Sequence, residues 1–579
     1  MTMTSRLVKT CAALTACLVA GLPAMAHAQS LPYGDVAAAG DDVDTGDADI
    51  DDGDGSSPKL SLRGKKVRVT PYIEAQQVVT AELSPGNEVL TYSALSAGIE
   101  ANLTGRNSQA AVSLRYERRF GYGSNRVPDS DVITGVARGS LAIVPRVLTL
   151  EAGAMAARMS VENNGATLTG REGTSTSQVY GAYIGPALRT ELGALQVEAS
   201  YRFGYSRVES PDALVVSPGQ RPIDIYDEGT VHNAMVHAGF KAGTVLPIGL
   251  GVGAGWNRED VSNLDQRIDD KHVRADVTLP VGSDLALVGG VGYEDVKVSN
   301  RDAVIDTISG LPVVGSDGHY VTDKSQPRQI AYEADGLIWD AGVIWRPSRR
   351  TALEAHLGRR YGSTTYYGSF AYAPNSRLSY NISAYDSISG FGGMLNNQLA
   401  GLPTQFDAFR NPLSGDLGTC VAASGSVGQG QGTCLNGALA SVNSAVFRGR
   451  GVNATLGVNG GNLQYGIGAG YDRRKFIAAP GTVLASANGV IDENYWLAAY
   501  LNGRIDRNSS FGTSVRANWY QSGDALAGNT SAVGATAAYY RSITSRLSAT
   551  AAVGVDGVNR DLLEDVWSAQ AMLGIRYSF

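Results

Sequence analysis

Histidine is the first side chain to consult for catalysis, and beyond residue 28 the chain has five: His232, His237, His272, His319 and His356. None stands in a nucleophile–His–acid arrangement or a metal-ligand spacing. The chain therefore reads as not an enzyme, and no cofactor is expected. Carboxylates concentrate in Asp47-Ala48-Asp49-Ile50-Asp51-Asp52-Gly53. This imitates the alternating Asp and late Gly of a calcium loop, with Asp47, Asp49 and Asp51 as weak candidate ligands, but the closing Glu is missing. The competing reading is a solvated acidic linker held open by self-repulsion. Cys420 and Cys434 flank a Gly/Ser-rich stretch. In an oxidising compartment such a pair closes a disulfide. A metal site or reactive thiols are the alternatives, and neither finds His or acidic ligands nearby.

A third set of residues is scattered but shares one property. Arg115, Glu117, Arg119, Glu198, Arg202, Arg274, Asp276, Glu354, Arg360, Arg504, Arg516 and Arg576 all occupy polar positions in stretches that alternate apolar and polar. Charges arrayed on one face of such stretches could line a lumen and set its ion and solute preference. They could equally neutralise one another across an interior.

The elements that would position these charges are strands. From Leu195, one parity carries Leu195, Val197, Ala199, Tyr201, Phe203 and Tyr205, and the other Gln196, Glu198, Ser200, Arg202, Gly204 and Ser206. From His272, Val273, Ala275, Val277 and Leu279 alternate with His272, Arg274, Asp276 and Thr278. A soluble sandwich alternates too, but its strands are shorter. Here apolar faces end in aromatics such as Trp339, Trp345, Tyr366, Phe370, Tyr539 and Trp567, as membrane interfaces demand. Tight connections (Asn459-Gly460-Gly461-Asn462, Asp506-Arg507-Asn508-Ser509) also alternate with long ones, Ser206 to Gly229, Ser299 to Ala334 and Ser387 to Ser444. The fold class is thus all-β: a single large transmembrane antiparallel β-barrel of about 22 strands, within 20 to 24. Arg448 and Arg450 fall out of phase with their neighbours, which predicts a bulge after Phe447.

Of 579 residues, only 18% are charged and mean hydropathy is −0.09. After the N-terminus no apolar run is long enough for a membrane helix. Arg6 and Lys9, an apolar stretch from Cys11 to Ala26, and Ala26-His27-Ala28 form a signal peptide over 1–28. Leu14-Thr15-Ala16-Cys17 leaves a lipidated Cys17 as the alternative. Nine Asp lie between Gln29 and Asp54, which assigns 29–66 to an acidic, disordered periplasmic segment. The barrel then spans 67–579, with a long extracellular loop over 388–442. Basic residues number 48 and acidic ones 55 in the whole chain, so the excess of acid belongs to this segment and no basic domain suggests nucleic acid.

The last strand alternates Trp567, Ala569, Ala571, Leu573, Ile575, Tyr577 and Phe579 with Ser568, Gln570, Met572, Gly574, Arg576 and Ser578. Tyr577 and terminal Phe579 resemble the β-signal of Gram-negative outer-membrane proteins. The resemblance implies recognition by the barrel-assembly machinery and a location in the outer membrane, among its lipid and lipopolysaccharide. The stretch Ala352-Leu353-Glu354-Ala355-His356-Leu357-Gly358-Arg359-Arg360-Tyr361-Gly362, followed by Ser379-Tyr380-Asn381-Ile382-Ser383, resembles PEP-CTERM-associated outer-membrane proteins. That likeness implies an exopolysaccharide context, with polysaccharide as a partner. The functional expectation is a porin-like channel or transporter for polar solutes. A structural or polysaccharide-export envelope barrel is the alternative. The long loop, rich in Phe391, Leu395, Leu399, Phe406 and Leu413, should be ordered over or into the extracellular mouth.

Overall fold

Strands with one apolar and one polar face satisfy both faces in a bilayer only when the sheet closes on itself, which also removes its edges. The computed structural model describes residues 60–62, 65–122, 130–160, 176–209, 228–375, 377–423, 433–434, 445–524, 528–561 and 563–579. Its barrel strands are β1 (Lys65–Ser84), β2 (Val89–Gly105), β3 (Ser108–Tyr122), β4 (Ser130–Val144), β5 (Leu148–Ser160), β6 (Thr176–Leu192), β7 (Leu195–Glu209), β8 (Glu228–Phe240), β9 (Gly249–Val261), β10 (Gln266–Pro280) and β11 (Leu285–Asn300). The second half comprises β12 (Gln329–Ser348), β13 (Thr351–Arg360), β14 (Ser363–Asn375), β15 (Leu378–Ser389), β16 (Val446–Asn459), β17 (Leu463–Ile477), β18 (Ile491–Arg504), β19 (Ser509–Gln521), β20 (Thr530–Ser542), β21 (Leu547–Arg560) and β22 (Leu563–Ser578). Each pairs antiparallel with the next, and β22 returns to β1 from Tyr72↔Ser578 to Ser84↔Trp567. The result is a closed 22-strand barrel. A short strand, Leu60–Leu62, adds to the start of β1.

The alternation read from the sequence sorts the two faces. On β10, Val273, Val277 and Leu279 are exposed on the outside while Asp270, Arg274 and Asp276 are buried inside. Outward aromatics form two belts, Tyr116, Tyr293, Trp339, Tyr495 and Trp519 at one end and Phe240, Trp345, Tyr372, Tyr465 and Tyr539 at the other. These girdles and the apolar band between them mark a barrel of the outer membrane, with all of its long connections at one end, where a few tight ones also lie. No described helix is long and apolar enough to cross a membrane.

One expectation fails here. β16 keeps its register without a bulge against both β15 and β17. Arg448 and Arg450 lie on the outward parity with Val452 and ion-pair with Asp386 at 2.7 and 3.1 Å. The strand has risen clear of hydrocarbon, so outward charges there need no change of phase.

The connection between β15 and β16 holds a helix, α1 (Phe391–Ala400), and a small sheet of Phe406–Arg410, Leu417–Ala423 and Thr433–Cys434.

Candidate functional site in the lumen

Inward side chains of neighbouring strands stand about 5 Å apart, and the long Arg side chains reach one or two strands further, so acids and bases placed on this face meet. On β1 and β3, Arg115 binds Glu74 and Glu117 at 2.7 Å each, and Glu117 passes on to Arg119 at 2.6 Å. Across β10, β12 and β13, Arg274 donates to both oxygens of Asp340 at 2.8 and 2.9 Å and to Asp276 at 3.2 Å. His356 bridges Asp340 and Glu354 at 2.9 and 3.2 Å and stacks on Tyr367, with ring centroids 4.5 Å apart. Nearer the extracellular end, Arg360 binds Asp270 at 2.8 Å and Glu294 at 3.2 Å.

The other lumen candidates stand apart from these clusters. Glu198 pairs with Arg189 at 2.8 Å, Arg516 with Asp556 at 2.8 Å, and Arg576 lies over the Tyr72 ring. Arg202 covers the Tyr183 ring and donates to Asn397. Arg504 is exposed at the periplasmic end. Sequence reasoning missed Glu74, Asp270, Glu294 and Asp340, although their strand parity was available. Among the described residues no group of His, Cys, Asp and Glu is arranged to hold a metal ion. Asp47, Asp49 and Asp51, with the whole of 1–59, lie outside the described residues.

The β15–β16 connection does more than cover the mouth. Residues 390–416 run down the inner wall and return. At the top, both Glu259 oxygens accept 2.8 Å hydrogen bonds from the Gly390 and Gly393 backbone N–H groups at the start of α1. A Cβ at Gly390 or Gly393 would lie 2.6 or 2.3 Å from that carboxylate, so a side chain at either position would push it off the two N–H groups. Phe391, Leu395, Leu399, Leu402 and Phe406 then bury themselves with Met155, Val179, Tyr183, Phe447 and Phe476. Halfway, Thr404 and Gln405 donate to Gln109 and Thr104 at 2.7 and 2.6 Å, beside the periplasmic turn that joins β2 to β3. Returning upward, Arg410 binds Thr134 and Ser113 at 2.7 and 2.9 Å. Leu413 packs with Val78, Tyr92, Ala94, Ala538, Ala552 and Met572. Asp416 meets Arg158 at 3.0 Å. The segment expected as an extracellular loop is, over this stretch, a lining of the lumen reaching nearly the full height of the barrel. Its apolar side chains find a dry surface there that the mouth alone does not offer.

Glu259 stands above the hydrocarbon. The outward positions of β9 run Leu250, Val252, Ala254 and Trp256, then Arg258 and Asp260, which pair at 2.7 Å. Burial pushes the Glu259 carboxyl up to about 7, against the downward pull of the Gly390 and Gly393 hydrogen bonds. α1 carries no charged residue, and the positions opposite Glu259 are Val231 and Ile268, so among the described residues these neighbours offer no cation to offset that burial.

No protein-family model matches the chain, and no curated protein matches it in sequence. Among solved structures it is similar to the FrpB iron transporter from Neisseria meningitidis (F5-1 variant), at 11% identity and a TM-score of 0.41, covering 88% of this chain and 82% of that one. The ferric-catecholate import receptor Fiu from E. coli K12 gives 9% identity and a TM-score of 0.41, with 90% and 82% covered. The alcaligin outer-membrane receptor FauA from Bordetella pertussis gives 12% and 0.35, with 88% and 76% covered. Identities and scores this low carry no argument about what this barrel does, and the PEP-CTERM likeness finds no match.

Proposed function

We propose that the protein is an outer-membrane conduit for polar solutes whose lumen is narrowed by residues 390–416. The observation that carries this reading is that segment itself. It lies inside the barrel along a wall set with Arg–carboxylate clusters, and rings of charged side chains beside a narrowed path set ion and solute preference. Arg115, Glu117, Arg119, Glu198, Arg202, Arg274, Asp276, Glu354, Arg360, Arg504, Arg516 and Arg576 are the proposed lining charges, with no catalytic step among them. Cys420 and Cys434 oppose each other in backbone register. Opposed residues on antiparallel strands sit at about 4.5–5.5 Å between Cα atoms, a separation a disulfide spans. A Cys420–Cys434 bridge is therefore proposed to tie off the far end of the segment. The proposed partners are lipopolysaccharide and the barrel-assembly machinery, reading Tyr577 and Phe579, with 1–28 as export signal and 29–66 as a periplasmic acidic tail.

The test is single-channel recording in planar bilayers of the full chain and of a variant with residues 390–416 replaced by a Gly/Ser linker. Conductance should rise on replacement. Silence from both proteins, each shown to be folded by heat-modifiable migration, would overturn the conduit. A structural or polysaccharide-associated barrel is the second reading. It is favoured by the near-complete pairing of the Arg274 and Arg360 clusters, which leaves those walls little net field.

A further inference from the structure

Just above the aromatic girdle, outward positions are charged around much of the rim, and in most sectors each cation has its own acid. Arg118 pairs with Asp131 at 2.6 Å, Lys271 with Asp269 at 2.6 Å, and Lys297 with both Asp295 and Glu333. The sector formed by β13, β16 and β17 departs from this balance. Arg359, Arg448, Arg450, Arg473 and Lys475 all fall on its outward parity, against Asp386 and Glu493.

The register sharpens the imbalance. Arg448 stands directly opposite Lys475, and Arg450 directly opposite Arg473. Like charges in direct cross-strand opposition are destabilising unless an anion joins them. The protein supplies too few. Asp386 is spent on Arg448 and Arg450, and its side chain is wholly buried beneath them. Glu493 reaches Arg473 only at 3.7 Å while also accepting from the Tyr471 hydroxyl at 2.8 Å. Arg359 and Lys475, at the two flanks, are exposed and have no ion pair among the described residues. The acids of the next strand are engaged elsewhere, Glu333 by Lys297 and Asp335 by Tyr293.

Height identifies the missing anion. Arg359 is in register with Trp339, a member of the outer girdle, and the outward rings of Tyr471 and Tyr495 lie 4.9 Å apart just below Arg473. Aromatic belts mark the headgroup level, so this surplus faces the polar heads of the outer leaflet. We propose that the β13–β16–β17 sector is a binding site for the phosphate groups of an outer-leaflet glycolipid, with Arg359, Arg450, Arg473 and Lys475 as its cationic contacts. The proposal is independent of whether the lumen conducts.

The full chain is reconstituted into phosphatidylcholine vesicles containing lipid A, either bisphosphorylated or stripped of its phosphates, and lipid retained after detergent extraction is counted by native mass spectrometry. The wild type should retain the phosphorylated form preferentially. The Arg359→Glu/Lys475→Glu variant should lose at least about fivefold in retention for each cation removed, the equivalent of about 1 kcal/mol apiece. Lys271→Glu, in the balanced sector, should change retention little. Equal retention of the two lipids by the wild type, or undiminished retention by the double variant, would overturn the site. Full displacement of the lipid by inorganic phosphate would show that the sector takes free phosphate and reject the lipid assignment. Should the charge-reversed variant fail to migrate as a folded barrel, Arg359→Gln/Lys475→Gln serves with the same two outcomes.

Discussion

Glu259 is a carboxylate held out of water by a helix with no charge to offer it, so its proton and the position of the lumen segment are linked. Undocked, it would titrate near the ordinary 4.5; docked, it titrates near 7. A raised carboxyl pKa means the docked state binds the proton more tightly. Docking is therefore strongest below about pH 4.5 and weakens as pH rises through 7, by up to about 3 kcal/mol over the interval. In bilayer recordings the wild-type open fraction should grow between about pH 5 and about pH 8. Glu259→Gln should flatten that dependence, because its amide does not ionise and still accepts one of the two glycine N–H groups. A profile unchanged by the substitution would separate the segment from this carboxylate. Glu259 could be assigned to the inner face from its strand alone, but its partners Gly390 and Gly393 lie more than a hundred positions away, in a stretch with no strand period. Which face these charges share was legible because they obey period two; what each would touch was not, since a pair such as Arg274 and Asp340 joins strands with another between them.

At the scale of the element, the strand is the unit the sequence writes most plainly. The alternation of Val273, Ala275, Val277 and Leu279 with His272, Arg274, Asp276 and Thr278 is set by the need to match lipid on one side and polar groups on the other, so a slip of one residue would invert both faces. Val277→Arg should cost about 2–4 kcal/mol of barrel stability, whereas Thr278→Arg should cost little. Urea titration of the refolded protein in lipid vesicles measures both, and equal losses would reject the face assignment. Above the membrane the pattern fades. β12 begins at Gln329, whereas clear alternation starts only near Asp335, because a register shift against β11 between Ile330 and Tyr332 changes the phase and the residues beyond it meet water on the outside. The same release from lipid explains why Arg448 and Arg450 mimic a bulge. At the other end of the chain, removing Phe579 should leave strand pairing possible but slow insertion. Pulse-labelled cells would show this as delayed heat-modifiable migration, and normal timing would discard the terminal signal.

For the whole molecule, the strand count and closure followed from segment lengths and spacing, and the two girdles from where aromatics end each apolar face. The interior did not follow. A 22-strand circumference leaves room that the wall side chains do not fill, and the sequence does not announce that the space is entered by a piece of the chain itself. The surplus of apolar residues between Phe391 and Leu413 was the one visible sign. The mature protein should fractionate with outer membranes; recovery of it as a soluble periplasmic species would contradict the barrel as a whole.

Leu413 touches the wall on both sides of the junction where the last strand meets the first, Met572, Ala552 and Ala538 to one side, Val78, Tyr92 and Ala94 to the other. That junction is the pairing with the widest separation along the chain. A side chain belonging to neither margin, delivered from a tether two-thirds of the way along the polypeptide, thus acts as an inner stitch across the final join. Seating the tether and sealing the join are thereby coupled, each holding the other in place.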